Sequence, residues 1–130
     1  MNSRIPIYEP WISEGQEENV LACIKENWIS SRGRFVDSFE RCLRDYTGHA
    51  ATTSCSNGTT ALHLALLALG LKDGDEILVP SFAYIAVVNA VSYVRAIPRF
   101  VDIDPSTWNI CPLDAEQKIS SKTKAIICVH

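Results

Sequence analysis

No stretch of this sequence is apolar for long enough to cross a bilayer. The longest apolar-rich run, Ala61 to Leu71, is short and contains His63. Basic residues are neither in excess nor clustered: the net charge is -3, and Lys and Arg are scattered along the chain. That leaves no electrostatic footprint for nucleic acid. Met1 to Trp11 mixes Arg4, Glu9 and two prolines, so the apolar core of a signal peptide is not expected there. Cys23, Cys42, Cys55, Cys111 and Cys128 are odd in number and have no C-x-x-C spacing, against a disulfide framework or a zinc site. They are expected to be reduced, mostly buried thiols of a cytoplasmic protein. Neither G-x-x-x-x-G-K-[ST] nor G-x-G-x-x-G occurs. There is no Ser/His/Asp or Cys/His set, internal repeat, linker or low-complexity tract.

The chain has 130 residues, one domain's worth of sequence with a single core expected over 1–130. Ser13 and Gln16 have capping-box spacing and predict a helix running toward Trp28. A turn follows, and Val36, Phe39, Leu43 and Tyr46 mark a second amphipathic helix stopped by Gly48. From there strands and helices alternate. Strands are expected at Ala50 to Cys55, Glu76 to Val79, Ile97 to Val101 and Lys124 to Val129. Helices are expected at Gly58 to Leu69, Ala83 to Val94 and Leu113 to Ile119. The first of these three is apolar nearly all round and reads as buried, with Gly70 as its stop. This rhythm argues for βαβ crossovers: a three-layer α/β/α arrangement around a mostly parallel sheet, its strands buried on both faces. In such sheets ligands bind beyond the carboxyl ends of the strands.

Ser56-Asn57-Gly58-Thr59-Thr60 is the strongest chemical feature, a strand-to-helix turn of small and hydroxyl residues. The first N–H groups of the helix would face it unpaired, Gly58 would admit a ligand close to the backbone, and Thr59 and Thr60 would add hydroxyl donors. That suits one phosphate group; Asn57 acting only as a helix N-cap is the alternative. Tyr84, after the strand ending at Pro80, is placed to stack on a flat ring, or to be a core aromatic at a helix start. Asp102 and Asp104 could pair as carboxylates for a metal or an acid-base step, but followed by Pro105 they read better as a strand-ending turn and cap. His63 reads as a core histidine. His130 ends a strand expected to be central, which puts it near the crevice. Lys72 to Glu76 reads as a solvated turn.

The order of Ile5-Pro6-Ile7-Tyr8-Glu9-Pro10, Trp28-Ile29-Ser30-Ser31-Arg32-Gly33, Ser56 to Leu66, Gly74 to Tyr84, Phe100 to Asp104 and Lys124 to His130 resembles the DegT/DnrJ/EryC1/StrS aminotransferases over essentially the whole chain. The resemblance implies the N-terminal part of the large domain of a fold type I transferase that uses pyridoxal 5'-phosphate. By position, Gly58 and Thr59 would hold the cofactor phosphate, Asn57 would shape the turn, and Tyr84 would stack on the pyridine ring. Ser31 lies in the loop that in this family approaches the nucleotide-sugar and the partner subunit of a homodimer. The implied reaction moves an amino group, from glutamate, to a nucleotide-linked 4-keto-6-deoxy sugar. The family's catalytic lysine matches none of Lys25, Lys72, Lys118, Lys122 and Lys124. No catalytic residue is therefore assigned, and the chain is expected to be a front portion that does not transaminate by itself. A non-catalytic phosphate-binding or assembly module is the contrasting reading. A nucleotide-binding oxidoreductase is disfavoured, because the second strand ends in Val79-Pro80 rather than an acidic residue.

Overall fold

The computed structural model describes residues 5–13 and 15–130 as two compact units, one ending at Ser54 and one spanning Cys55–His130. Residues 1–4 of the N-terminal segment and Glu14 lie outside the described residues.

In the first unit, helix α1 (Gln16–Lys25) begins later and ends earlier than its spacing predicts. Ser13 is not its cap. Gly15 is, in a left-handed conformation that only glycine adopts without strain. Half of the capping box survives, the Ser13 amide donating to Gln16 Oε1 at 3.2 Å. Helix α2 (Arg34–Thr47) ends as expected on Gly48, whose amide donates to the Arg44 carbonyl. Residues 50–55 form no strand. No strand among the described residues pairs with them, and their polar groups turn to α2 instead. Thr52 Oγ1 donates to the Glu40 carbonyl, and the Ser54 amide and hydroxyl donate to Glu40 Oε1 at 2.7 and 2.9 Å. The two Ser54 bonds, the amide's foremost, hold the Glu40 carboxyl below the ordinary carboxylate range.

The second unit is built on three parallel strands, β1 (Glu76–Pro80), β2 (Ile97–Val101) and β3 (Thr123–Ile126), in the order β2-β1-β3. Helices α3 (Gly58–Ala68), α4 (Ile85–Tyr93) and α5 (Pro112–Lys118) alternate with them. Side chains along a strand point to opposite faces in turn, and β1 uses both. Ile77 and Val79 pack with Leu66 of α3 and Val87, Ala90 and Val91 of α4. Leu78 faces the other way, onto Val101 and Ala115 of α5. Helices therefore cover both faces of β1, giving the expected three layers.

Burial is narrower than the sequence predicts. Only β1 is buried along its length, whereas Ile97, Phe100 and Ile126 on the flanking strands are exposed. Helix α3 is not sunk in the core either. Leu66 is its one buried residue, and Leu64 and Leu67 are exposed, because α4 and the sheet contact one side of it. None of the five cysteines is buried, and all are free. β3 is an edge strand in this sheet, so His130 follows an edge strand rather than a central one. No helix among the described residues is long and apolar enough to cross a membrane.

Candidate functional site

Helix α3 leads through Gly70 and the Lys72–Asp75 turn into the start of β1. It therefore runs against β1, and its N-terminus lies toward the carboxyl end of the sheet. Helix α4 leaves that same end directly after β1. Two helix N-termini thus share the end where open parallel sheets bind ligands.

Asn57 caps α3 in extended conformation. Its Oδ1 accepts from the Thr60 amide at 3.0 Å, and its own amide donates back to Thr60 Oγ1 at 3.3 Å. The Thr60 hydroxyl is fully engaged, donating to the Asn57 carbonyl at 2.8 Å and lying 3.3 Å from Ser56 Oγ. Thr60 is thus a member of the cap rather than a free hydroxyl donor, a correction to the sequence reading. The cap consumes one N–H and leaves two. The amides of Gly58 and Thr59 have no partner among the described residues, and an added side chain at Gly58 would meet nothing within 4 Å. Capping therefore does not use up the amides an anion would need: two remain open beside the capped one.

The loops that leave the three strands line an open cavity of about 680 Å3, a size usual for small-molecule sites. Phe82, Tyr84 and Ile85 line it from beyond β1, Thr107, Trp108 and Asn109 from beyond β2, and Val129 and His130 from beyond β3. Tyr84, the N-cap of α4, is 82% exposed with a free ring, so it is no core aromatic. The Ser56 to Thr60 turn shares this end of the sheet, but none of its residues lines the cavity.

Trp108 and Asn109 went unmarked in the sequence, since nothing local distinguishes a loop tryptophan that reaches a cavity. They are placed by a tight hairpin whose Ile103 and Ile110 form an antiparallel bridge. Asp104 organises it. Its carboxylate accepts from the Ser106 hydroxyl and amide and from the Thr107 amide, bonds that hold its pKa below the ordinary carboxylate range. Asp102 offers its amide to Asp114 Oδ2 at 2.6 Å. Asp114 also pairs with Lys118 Nζ at 2.7 Å, and that bond is the main reason its pKa is lowered. The two aspartates thus end a strand and cap a turn. His63 is half-buried against Tyr93, ring centroids 5.4 Å apart.

Ser31 lies in the first unit and is exposed. In its loop the Arg32 amide donates to Ser30 Oγ at 3.3 Å, and Trp28 packs 3.6 Å from where a side chain on Gly33 would begin.

The sequence profile of the DegT/DnrJ/EryC1/StrS aminotransferase family matches residues 10–130. The chain belongs to that family. Among curated members it is 49% identical over 126 residues to the GDP-perosamine synthase of Escherichia coli O157:H7, covering 97% of this chain and 35% of that protein. It is 46% identical over 127 residues to the GDP-perosamine synthase of Caulobacter vibrioides, covering 98% and 34%. The chain thus spans about a third of the length of these relatives. Its fold is shared with a Streptococcus pneumoniae protein described as a sugar aminotransferase, solved in its PMP form. There the TM-score is 0.87 at 34% identity, covering 97% of this chain and 32% of that one. A 3-amino-5-hydroxybenzoic acid synthase gives 0.83 at 30%, covering 98% and 33%. The fold is therefore the N-terminal α/β part of a pyridoxal-phosphate-dependent sugar aminotransferase, and pyridoxal 5'-phosphate is the cofactor of the DegT/DnrJ/EryC1/StrS family.

The residues present fit that cofactor. Two unpaired amides over an open glycine suit its phosphate, and an exposed aromatic at the same end of the sheet suits its ring. None of the lysines lines the cavity. Lys122 and Lys124 sit at the opposite end of the sheet, where the Lys122 carbonyl accepts from the Glu76 amide at 2.8 Å.

Proposed function

We propose that residues 1–130 are the cofactor-facing front part of the large domain of an aminotransferase acting on a nucleotide-linked 4-keto-6-deoxy sugar. The substrate is GDP-4-keto-6-deoxymannose and the amino donor is glutamate; the ketone becomes the amine of GDP-perosamine, and glutamate leaves as 2-oxoglutarate. One observation carries this reading: the two unpaired amides of Gly58 and Thr59, at the sheet end that also presents Tyr84. The choice of sugar is supported by identities of 40–49% to three GDP-perosamine synthases.

In this reading the Gly58 and Thr59 amides bind the cofactor phosphate, and the helix dipole adds roughly 0.3–1 kcal/mol. Asn57 keeps the turn rigid, and Tyr84 orients the pyridine ring by stacking. When bound, pyridoxal phosphate supplies the electron sink of amino-group transfer. The Ser31 loop meets the nucleotide-sugar, and the whole protein works as a homodimer in the cytoplasm, in keeping with five free thiols. A second reading, a module that binds the cofactor without turnover, is favoured by the absence of any lysine from the cavity lining.

Titration of the chain with pyridoxal phosphate, followed by borohydride and mass spectrometry, tests this. Reversible binding that inorganic phosphate displaces is expected, with no lysine carrying a trapped adduct. A stoichiometric adduct on one of the five lysines, or no phosphate-sensitive binding at all, would refute the assignment. Amination of the keto sugar by a longer protein containing this segment then separates the aminotransferase from the binding module.

A further inference from the structure

We propose that Trp108 is a positioning residue: it braces the Ser81–Tyr84 loop and so sets the ring of Tyr84 at the angle that cofactor stacking needs. This rests on the reading of Tyr84 given above.

Three observations converge. The first is that the loop has little else to hold it. The Ser81 amide donates to the Val101 carbonyl at 2.8 Å, and the Tyr84 carbonyl accepts from the Val87 amide at 3.1 Å. Between these anchors the amides of Phe82, Ala83 and Tyr84 have no partner among the described residues. The second is the contact itself. The ring of Trp108 meets that of Phe82 edge to face, centroids 5.0 Å apart and planes at 63°, a favourable arrangement of ring quadrupoles. Phe82 stands two residues before Tyr84, and all three line one cavity.

The third is that the brace is stiff. Trp108 has φ of 63°, a left-handed conformation uncommon for a bulky side chain, which persists only where its surroundings over-determine it. They do so here. The Trp108 amide donates to the Asp104 carbonyl at 2.7 Å, the Asp104 amide donates to the Asn109 carbonyl at 2.8 Å, and the Asp104 carboxylate ties down the intervening turn. A hairpin held at both ends thus sets one aromatic ring against a loop whose three middle amides are unpaired among the described residues. The loop in turn carries the residue assigned to the cofactor ring.

The test compares Trp108→Ala, Trp108→Phe and the unaltered chain by amide hydrogen exchange and by titration with two probes, pyridoxal phosphate and inorganic phosphate. In Trp108→Ala the Val87 amide should exchange faster by about two- to ten-fold, the range one aromatic pair is worth. The Ile97 amide, bonded to the Asp75 carbonyl at the far end of the sheet, should keep its protection. Pyridoxal phosphate affinity should fall by a similar factor, inorganic phosphate affinity should hold, and Trp108→Phe should restore the first. A merely structural loss would move both probes and both amides together, and that outcome overturns the proposal. So does a Trp108→Ala chain that binds pyridoxal phosphate as the unaltered chain does. If the unaltered chain binds neither probe, the functional reading fails, and the Val87 amide still decides whether the brace exists. Phe82→Leu, which removes the other ring, carries the same expectations should Trp108→Ala not fold.

Discussion

Replacing Asn57 separates the two duties of the turn before α3. In Asn57→Ala the Thr60 amide loses its acceptor at 3.0 Å while Thr60 keeps its hydroxyl bond to the backbone carbonyl. Half of a reciprocal cap is lost, and such losses cost about 1 kcal/mol. Asn57→Asp acts differently. Aspartate caps as well as asparagine, and its charge favours a helix N-terminus, so stability should be kept or slightly raised. The same charge would face a bound phosphate. At about 4 Å in a water-like dielectric, repulsion is about 1 kcal/mol for each phosphate charge, or about five-fold in affinity. Burial of the site would enlarge it. Urea denaturation followed by circular dichroism measures the first quantity, and titration with pyridoxal phosphate the second. The expected pattern is a crossing: the alanine variant less stable but still binding, the aspartate variant stable but binding at least five-fold more weakly. An aspartate variant that binds normally would show that the Gly58 and Thr59 amides do not receive the phosphate, and the reading of the turn as a cofactor site would be wrong.

Tyr84→Ala should weaken pyridoxal phosphate binding and leave inorganic phosphate binding unchanged. Tyr84→Phe should bind the cofactor normally, because the hydroxyl makes no hydrogen bond among the described residues; fluorescence titration distinguishes the two. Leu78→Ala should cost about 2–5 kcal/mol in chemical denaturation, since Leu78 is 1% exposed and packs between the sheet and α5. Acid should loosen the hairpin before the sheet. The Asp104 and Asp114 pKa values are lowered in the folded chain, so their contribution is complete above the ordinary aspartate pKa and is lost as pH falls through the lowered values, below about pH 4. Amide exchange at Trp108 and Cys111 should accelerate there while Ile77 and Val79 stay protected, and Asp104→Asn should flatten the dependence at Trp108.

Features that depend on a few consecutive residues were legible in the sequence. Gly48 stops α2, and Gly70 follows α3 in a left-handed conformation. Asn57 caps α3 because its side chain reaches an amide three residues on, a bond that needs no distant partner. Ile97 to Val101 forms a strand with the boundaries its composition predicts. The order of motifs likewise identified the family, because each motif is local and their succession is specific. Thr60 reads as a free donor in the sequence for a related reason: residue type offers a hydroxyl, but only the closed cap shows that it is already used.

Tertiary structure decided everything that required a partner remote in the chain. Residues 50–55 have strand composition and are not a strand, since a strand exists only through a neighbour's hydrogen bonds and their donors found Glu40 instead. Helix α3 is apolar nearly all round yet largely exposed, because burial depends on what packs against a face and not on its composition. The cavity is the plainest case. Parallel strands return each chain segment to the same end of the sheet, so Tyr84, Trp108 and His130, far apart in sequence, line one space. No spacing along the chain encodes that meeting; the sheet's parallel order creates it.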